Sequence, residues 1–263
     1  MDNTHTNRIR FAFVVATPKE EGTTLPIHQT LAWMNTAPFG VEVEVFVQAG
    51  NKEGLPKVYN RFIDVERKKP THDFVVFLHD DLWLTDCLFF KKVMEVCRYN
   101  GYDIIGACGG GKWTLQDPTK PNIWTKAAQG SFASGFMIHA AKPEFTHATQ
   151  TYDGRSLFAS NYGYSPAKTL TLDGSILCVS KKAIEKGARF DEQFDWHFYD
   201  MDFCVNAVKT LGLVVGTAPF IATHESLGES VTSRGFYDAQ ARFVKKWFDI
   251  DIHYTEEGGS TNG

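Results

Sequence analysis

The sequence is poor in cysteine, and its cysteines show no paired spacing. There are five, an odd number, and no two of them form a C-x-x-C motif. A zinc knuckle or a redox-active dithiol is therefore not expected. Reduced, mostly buried thiols are the simplest interpretation, and they are typical of proteins in a reducing compartment. We therefore expect this protein to act in the cytoplasm.

Long apolar runs and an excess of basic residues are also missing. The longest apolar runs, such as residues 74–78, have the length of a strand and fall far below the about 20 residues of a membrane span. The first ten residues are polar and lack the apolar core of a secretory signal. The formal net charge of -4 argues against a large nucleic-acid footprint, which usually appears as a basic stripe. We expect no membrane span, and nucleic acid at most as a briefly contacted substrate.

The chain also lacks internal repeats and low-complexity linkers. Its 263 residues, of which 43% are hydrophobic and 22% charged, are enough for one large α/β domain with its own core. We expect a single domain over residues 1–254. The polar end of the chain, residues 255–263, is expected to be disordered.

Strands and helices are predicted to alternate in the first half of this domain. The strand-like segments are residues 9–16, 41–47, 74–78 and 102–107. The helical segments are residues 25–34, the residues after Pro56, and residues 88–99. This alternation is typical of a parallel, doubly wound sheet, whose ligands bind at the carboxyl ends of the strands. Thr17, residues 48–51 and residues 79–81 would share that edge, so we expect a ligand cleft there.

The second half is expected to be less regular. Residues 109–130 are predicted as a loop and residues 150–168 as a turn-rich segment. The predicted strands are residues 132–139, residues 176–179 and one or two within 213–223. The predicted helices are residues 182–186, 200–211 and 234–248.

The first candidate site is His79-Asp80-Asp81 at the end of the buried strand 74–78. Carboxylates at such an edge lose hydration and need a cation or hydrogen-bond donors nearby. Two acids and an imidazole together suit a divalent metal such as Mn²⁺ or Mg²⁺. The alternative is that Asp80 or Asp81 only caps a following helix. Capping does not explain the adjacent histidine.

Two further candidates lie in the second half. Asp200 and Asp202 flank the start of an amphipathic helix, where acids either complement the helix dipole or supply a general base. His224 follows an apolar strand. A lone histidine is more often structural than functional, so His224 becomes a candidate only if it meets the acids in space.

A P-loop is rejected. Residues 106–112 fit the G-x-x-x-x-G-K pattern, but Trp113 stands where the Mg²⁺-binding Ser or Thr should be. A proline-containing loop follows, instead of the helix whose N-terminus should hold the phosphates. We assign these glycines to a flexible loop.

Six segments follow one another over residues 8–250: GLPKVYN (54–60), VFLHDD (76–81), DG (173–174), FDEQF (190–194), YDMDFC (199–204) and HESLG (224–228). Their order and spacing resemble the family 2-like glycosyltransferases of the GT-A fold, especially the branch related to streptomycin-biosynthesis glycosyltransferases. The resemblance implies an α/β, nucleotide-diphospho-sugar transferase-like fold with a mixed, mainly parallel sheet flanked by helices. It also implies a nucleotide-sugar-binding half, residues 8–107, and an acceptor and catalytic half, residues 108–254.

The resemblance also implies ligands for a metal and a nucleotide. The family's D-x-D metal motif falls on His79-Asp80-Asp81, where His79 replaces the first acid. The implied metal ligands are Asp81, His224 and His79. The implied nucleotide contacts are Thr17, Asn51, Asn60 and Asp80.

The catalytic base is implied by the family's x-E-D motif, which falls on Phe198-Tyr199-Asp200. Tyr199 replaces the glutamate of this motif, which leaves the base open between Asp200 and Asp202. The candidates to frame the acceptor are Trp113, Trp124 and Trp196.

The implied reaction is metal-dependent transfer of a sugar, with inversion, from a nucleotide-sugar donor to a hydroxyl-bearing acceptor. We expect a UDP-sugar as the donor, while a glycan, a small molecule, a protein and a modified DNA base stay open as acceptors. The nucleotide-binding type of first half argues against a glycoside hydrolase. Two alternatives stay open. One is a degenerate GT-A domain that binds nucleotide or glycan without turnover, and the other is a sugar nucleotidyltransferase.

Overall fold

The structure is a computed structural model. It describes residues 8–34, 40–111, 133–141, 151–152, 155–225, 234–249, 252–254 and 260–262. The helices are α1 (Pro26–Met34), α2 (Leu55–Lys68), α3 (Phe89–Glu95), α4 (Lys181–Glu185), α5 (Tyr199–Lys209) and α6 (Arg234–Phe248). A π-helical turn over Val96–Asn100 continues α3.

The strands lie in three sheets, two large and one small. In chain order they are β1 (Ile9–Ala16), β2 (Val41–Gln48), β3 (Phe74–Leu78), β4 (Leu82–Leu84), β5 (Ile104–Gly106), β6 (Cys108–Gly110), β7 (Ala133–Ala141), β8 (Thr151–Tyr152), β9 (Arg155–Gly163), β10 (Lys168–Thr169), β11 (Thr171–Leu172), β12 (Ile176–Ser180), β13 (Val215–Thr217), β14 (Ala222–His224), β15 (Ile252–Tyr254) and β16 (Ser260–Asn262).

The main sheet has the strand order β2-β1-β3-β12-β5-β13-β10. Strands β2, β1 and β3 are parallel, β12 runs against both β3 and β5, and β13 is parallel to β5. Since β10 runs against β13, five of these strands point one way and two point the other way. The predicted mixed, mainly parallel sheet is confirmed.

Alternate residues of β1 supply two separate cores. Phe11, Phe13 and Val15 are buried with residues of α1 and α3, whereas Ala12 and Val14 are buried with residues of α2 and α5. Successive side chains of a strand point to opposite faces, so an unbroken apolar run allows burial on both sides. Both faces of the sheet at β1 are therefore covered by helices.

The second large sheet joins the two halves of the chain. Its order is β11-β6-β7-β14-β4, with β9 on β7 and β8 on β9. Two expectations are corrected here. The turn-rich segment 150–168 contains the strand β9, which pairs along its length with β7. The loop 109–130 begins within the strand β6, and its residues 112–130 lie outside the described part of the chain.

The capping alternative for Asp80 and Asp81 is wrong. The residues that follow them form the strand β4, and the next helix begins at Phe89. Leu88 is the N-cap residue of that helix, and its N–H donates to Asp86 Oδ1 at 2.9 Å. The acids after β3 are therefore free of a capping role.

At the end of the chain, strand β16 pairs antiparallel with β15. The other residues of 255–263 lie outside the described ranges, and the expected disorder of this segment stays a prediction. Within the described residues, none of the helices combines the length and the apolar character needed to cross a bilayer.

Candidate active site

Three side chains converge beyond the carboxyl end of β3. His79 follows β3 directly, and β4 then pairs with β14 so that Leu82 lies opposite His224. The backbone N–H of Glu225 donates to the carbonyl of Asp81 at 3.1 Å, which extends this pairing. The strand pair therefore brings His224 to His79 across 145 positions of sequence.

The predicted approach of Asp81 and His224 is confirmed. His224 Nε2 lies 3.3 Å from Asp81 Oδ1 and 3.2 Å from His79 Nδ1. One ligand-type atom from each of the three residues lies within 4.8 Å of the others, and all three side chains are half-buried. With His79 in place of the first acid, the cluster still offers three ligand atoms to a single metal ion.

This donor set fits a divalent metal. Asp81 Oδ1 is buried, and its contact with His224 falls short of hydrogen-bond geometry, so it has no hydrogen-bond partner among the described residues. A buried carboxylate oxygen in that state has lost water without replacement, which is costly. Two imidazole nitrogens and a carboxylate oxygen are ligands that divalent transition metals accept. A cation between them would satisfy Asp81.

Asp81 and His224 each shift the pKa of the other toward its charged form. Burial raises the pKa of Asp81, but the contact with His224 outweighs it and brings the pKa below its ordinary value. Burial lowers the pKa of His224, but Asp81 brings it above its ordinary value. Burial, followed by the charge of His224, lowers the pKa of His79. A bound metal would displace the proton of His224, since metals take the unprotonated imidazole.

The phenol of Tyr199 reaches this cluster from the first residue of α5. Its oxygen lies 2.8 Å from His79 Nε2 and donates to the carbonyl of Gly174 at 2.9 Å. The ring is buried and packs against Tyr59 and Phe190. The sequence does not predict this contact. Its one signal is that His79 and Tyr199 both depart from the family motifs.

Asp200 is joined to the cluster through Gly174. Its Oδ2 accepts from the N–H of Gly174 at 2.8 Å, and its Oδ1 accepts from the N–H of Met201 at 2.8 Å. Burial raises the pKa of Asp200 from its ordinary 3.8 to about 7, and the charge of Asp173 adds to this rise. Burial also raises the pKa of Asp173, but the charge of His224 and hydrogen bonds to Ser175 outweigh this and bring the pKa below its ordinary value. Asp173 belongs to the DG motif at 173–174, and the sequence alone predicts no role for it.

Asp202 lies on another side of α5, against α6. It is 1% exposed, and its carboxylate contacts Lys246 Nζ at 2.8 Å and accepts from Trp247 Nε1 at 2.8 Å. These contacts tie the two helices together. The structure therefore does not bring Asp202 into the cluster that holds His79, Asp81 and His224.

The edge at which a ligand cleft was expected is formed by the ends of β1, β2 and β3. Thr17 Oγ1 donates to Asp80 Oδ2 at 2.5 Å, and Lys19 Nζ lies 3.5 Å from the same oxygen. The N–H of Thr17 donates to the carbonyl of Gln48 at 3.0 Å, and that of Asn51 to the carbonyl of Thr17 at 2.8 Å. The common edge expected from the strand pattern is confirmed, and Asp80 lies on it beside Thr17.

Asn60 is placed differently from the prediction of a nucleotide contact. It is buried in α2, and its amide nitrogen donates to the carbonyl of Phe190 at 3.0 Å and to Glu192 Oε1 at 2.8 Å. Both amide hydrogens are used in this way, so none is left for a nucleotide. Among the tryptophans, Trp196 is 49% exposed, whereas Trp113 and Trp124 lie outside the described residues.

Comparison with known proteins supports the fold. No protein-family model matches the chain, and no curated protein matches its sequence. Glucosyl-3-phosphoglycerate synthase from Mycobacterium tuberculosis with bound phosphoglyceric acid is similar at 12% identity and a TM-score of 0.52, over 98% of this chain and 87% of that one. The same enzyme with Mg²⁺ and UDP is similar at 11% identity and a TM-score of 0.51, over 98% and 88% of the two chains.

The protein therefore has the GT-A fold, the nucleotide-diphospho-sugar transferase-like arrangement of a mixed sheet flanked by helices. Identities of 11 and 12% show the fold alone. What this chain does has to be argued from its own site.

Proposed function

We propose that the protein is a metal-dependent glycosyltransferase that moves a sugar from a nucleotide-sugar donor to a hydroxyl-bearing acceptor, with inversion. The convergence of His79, Asp81 and His224 at the carboxyl end of β3 carries this proposal. In open α/β sheets, ligands bind beyond the carboxyl ends of the strands. The six sequence motifs further support assignment to the family 2-like enzymes, in the streptomycin-biosynthesis-type branch.

The donor binds along the edge formed by Thr17, Asn51 and Asp80. A divalent metal held by Asp81, His224 and His79 would neutralise the charge that develops on the leaving diphosphate. The Mycobacterium tuberculosis enzyme is known with UDP and with Mg²⁺ or Mn²⁺, which is in keeping with a UDP-sugar donor and a divalent ion here. Asn60 acts indirectly, because its amide fixes the segment at Phe190 that borders the site.

Asp200 is the proposed catalytic base. A general base works best when its pKa lies near the operating pH, and the pKa of Asp200 is about 7. Asp202, the other candidate, is committed to Lys246 and Trp247. One base that deprotonates the acceptor hydroxyl supports direct displacement at the sugar, and a single displacement inverts its configuration.

The protein is proposed to act in the cytoplasm, and its acceptor is a glycan, a small molecule, a protein or a modified DNA base. The five cysteines are free thiols, in keeping with a reducing compartment. Exposed Trp196 is a candidate surface for the acceptor, since large aromatic side chains supply apolar contact area.

The test is a screen of sugar nucleotides for release of nucleoside diphosphate in the presence of Mn²⁺. Asp81→Asn should abolish Mn²⁺-dependent release, because it removes the charged metal ligand. Asp64→Asn is the matched control, since Asp64 is a surface carboxylate paired with Arg189. Release of pyrophosphate would identify a nucleotidyltransferase instead. Nucleotide binding without turnover of any sugar nucleotide would identify a binding domain and overturn the proposal.

A further inference from the structure

The two positions that depart from the family motifs are in direct contact. His79 replaces an acid of D-x-D, Tyr199 replaces the glutamate of x-E-D, and the two are 120 residues apart in sequence. His79 Nε2 and the Tyr199 oxygen lie 2.8 Å apart. We propose that Tyr199 is a positioning residue that holds His79 as an Nδ1 ligand of the metal. This inference rests on the metal site of the proposed function.

The proton of the Tyr199 phenol decides the tautomer of His79. A phenol has one hydrogen to donate, and the carbonyl of Gly174, 2.9 Å away, can only accept. The phenol oxygen therefore accepts at its contact with His79, so His79 Nε2 carries a hydrogen. In a neutral imidazole, the other nitrogen then has a free lone pair. Tyr199 thus leaves Nδ1 of His79 unprotonated.

That lone pair belongs to the nitrogen that faces the cluster. His79 Nδ1 lies 3.2 Å from His224 Nε2, which in turn lies 3.3 Å from Asp81 Oδ1. The backbone N–H of His79 also donates to the carbonyl of Ser175 at 3.0 Å, which fixes the residue at the strand end. Metal-binding histidines commonly donate the N–H of their second ring nitrogen to a hydrogen-bond acceptor, and this contact orients the ring. Tyr199 supplies that partner here.

Gly174 makes the position of Tyr199 specific. A side chain at Gly174 would place its Cβ within 2.8 Å of the Tyr199 ring and of Asp200 Cβ, so a larger residue would push both away. The same glycine accepts from the Tyr199 phenol through its carbonyl and donates to Asp200 through its N–H. One residue, Gly174, therefore sets the positions of the Tyr199 phenol and of the proposed base Asp200.

The ligand set determines the preference between metals. Mg²⁺ favours oxygen ligands and gives up its bound water molecules reluctantly, whereas imidazole nitrogen suits transition metals. A site with His79, His224 and Asp81 offers two nitrogen ligands and one carboxylate. An acid at position 79 would give two carboxylates and one nitrogen ligand. The expected order is tighter binding of Mn²⁺ than of Mg²⁺.

The test measures metal binding to the protein without sugar nucleotide. Mn²⁺ is titrated by the loss of the free-ion electron paramagnetic resonance signal, with Mg²⁺ as competitor. Tyr199→Phe should weaken Mn²⁺ binding by about 10- to 100-fold, the range for loss of a ligand's orienting partner. The matched control is Tyr59→Phe, because Tyr59 is a buried neighbour whose phenol donates to the Leu78 carbonyl at 3.3 Å. Its Mn²⁺ affinity should stay within about threefold of that of the unmodified protein, since no metal ligand loses its partner.

Two further readouts do not depend on how Tyr199→Phe folds. Long-range ¹H–¹⁵N spectra of the unmodified protein should show His79 as the Nε2–H tautomer, with the signal assigned by its loss in His79→Asn. His79→Asp should lower the ratio of Mn²⁺ to Mg²⁺ affinity by at least about tenfold, because an oxygen replaces a nitrogen ligand.

The inference is overturned if His79 is the Nδ1–H tautomer, if Tyr199→Phe binds Mn²⁺ as tightly as Tyr59→Phe, or if His79→Asp leaves the ratio unchanged. Sugar transfer combined with any of these results sinks this inference alone. The expected binding results without any transfer sink the proposed function and leave this inference standing.

Discussion

The first turn of α5 has two sides with opposite electrostatic surroundings. On the side toward β3, Asp200 has backbone amides and the carboxyl of Asp173 as neighbours, and its pKa rises to about 7. On the side toward α6, burial raises the pKa of Asp202 above its ordinary value, and the contacts with Lys246 and Trp247 offset only part of that rise. Both carboxyls belong to one helical turn, and within the described part of the chain only Asp202 has a cation as partner.

This contrast separates a group available for proton transfer from a group used for packing. A buried carboxylate that lacks a countercharge is costly to keep ionised, so it gains a proton easily and becomes a functional candidate. A buried carboxylate with a lysine and an indole N–H is satisfied, and its removal mainly affects stability. Each of the following expectations tests one side of α5 against the other.

The largest expected effect is that of Asp200→Asn on turnover. Loss of a general base lowers the rate by about 10² to 10⁴-fold. Donor binding should stay close to that of the unmodified protein, because the asparagine oxygen can still accept from Gly174. The measurement is single-turnover transfer together with donor affinity. Asp202→Asn is the control from the other side of the helix, and equal rate losses in the two variants would remove the contrast.

How far the fold follows from the sequence depends on whether the pattern is local. Strand β1 and helix α6 begin and end where the apolar period predicts, because an unbroken or a 3.6-residue repeat is visible without a partner. Strands β4 and β9 were not predicted. Strand β4 has only three residues, which is too short for an apolar repeat to be recognised. Strand β9 forms because β7 lies beside it and pairs with it.

The candidate site divides in the same way. Acids and histidines are visible as residue types, and the resemblance pointed to Asp81 and His224 as neighbours. The partner of Asn60 and the contact between Tyr199 and His79 depend on tertiary placement, so no local pattern contains them. The usable signal was that His79 and Tyr199 both depart from the family motifs, since two replacements that compensate each other are often in contact.

The second expectation concerns pH and the stability of the metal-free protein. The pKa of Asp200 is about 7 in the folded state and near its ordinary 3.8 when unfolded. The folded state therefore binds more protons between these values, and the free energy of unfolding falls as pH rises from about 4 to about 7. The difference corresponds to as much as about 4 kcal/mol.

Asp200→Asn should remove this fall in the free energy of unfolding with rising pH, because the amide does not titrate. The measurement is chemical unfolding in EDTA at several pH values, for the variant and for the unmodified protein. Near pH 4 the two should be similar, and above about pH 7.5 the variant should be the more stable one. Curves that stay parallel across this range would show that Asp200 ionises normally. Transfer by the unmodified protein should rise with pH through about 7, since the base must be ionised.

The smallest expected effect is that of Asp202→Asn on stability. The variant loses the charge opposite Lys246 but keeps an oxygen for Trp247 Nε1, so the free energy of unfolding should fall by about 1–2 kcal/mol. For a chain of this length, the melting temperature should drop by about 2–8 °C. The matched control is Asp191→Asn, which removes the other partner of Lys246.

The control should cost less, because the Asp191 side chain is 22% exposed and that of Asp202 only 1%. Solvent weakens the more exposed ion pair, whereas the loss of the buried carboxylate takes a charged acceptor from both Lys246 and Trp247. Donor affinity and the transfer rate of folded Asp202→Asn should match those of the unmodified protein. A transfer rate that falls without a fall in melting temperature would move the base from Asp200 to Asp202 and reverse the assignment of the two sides of α5.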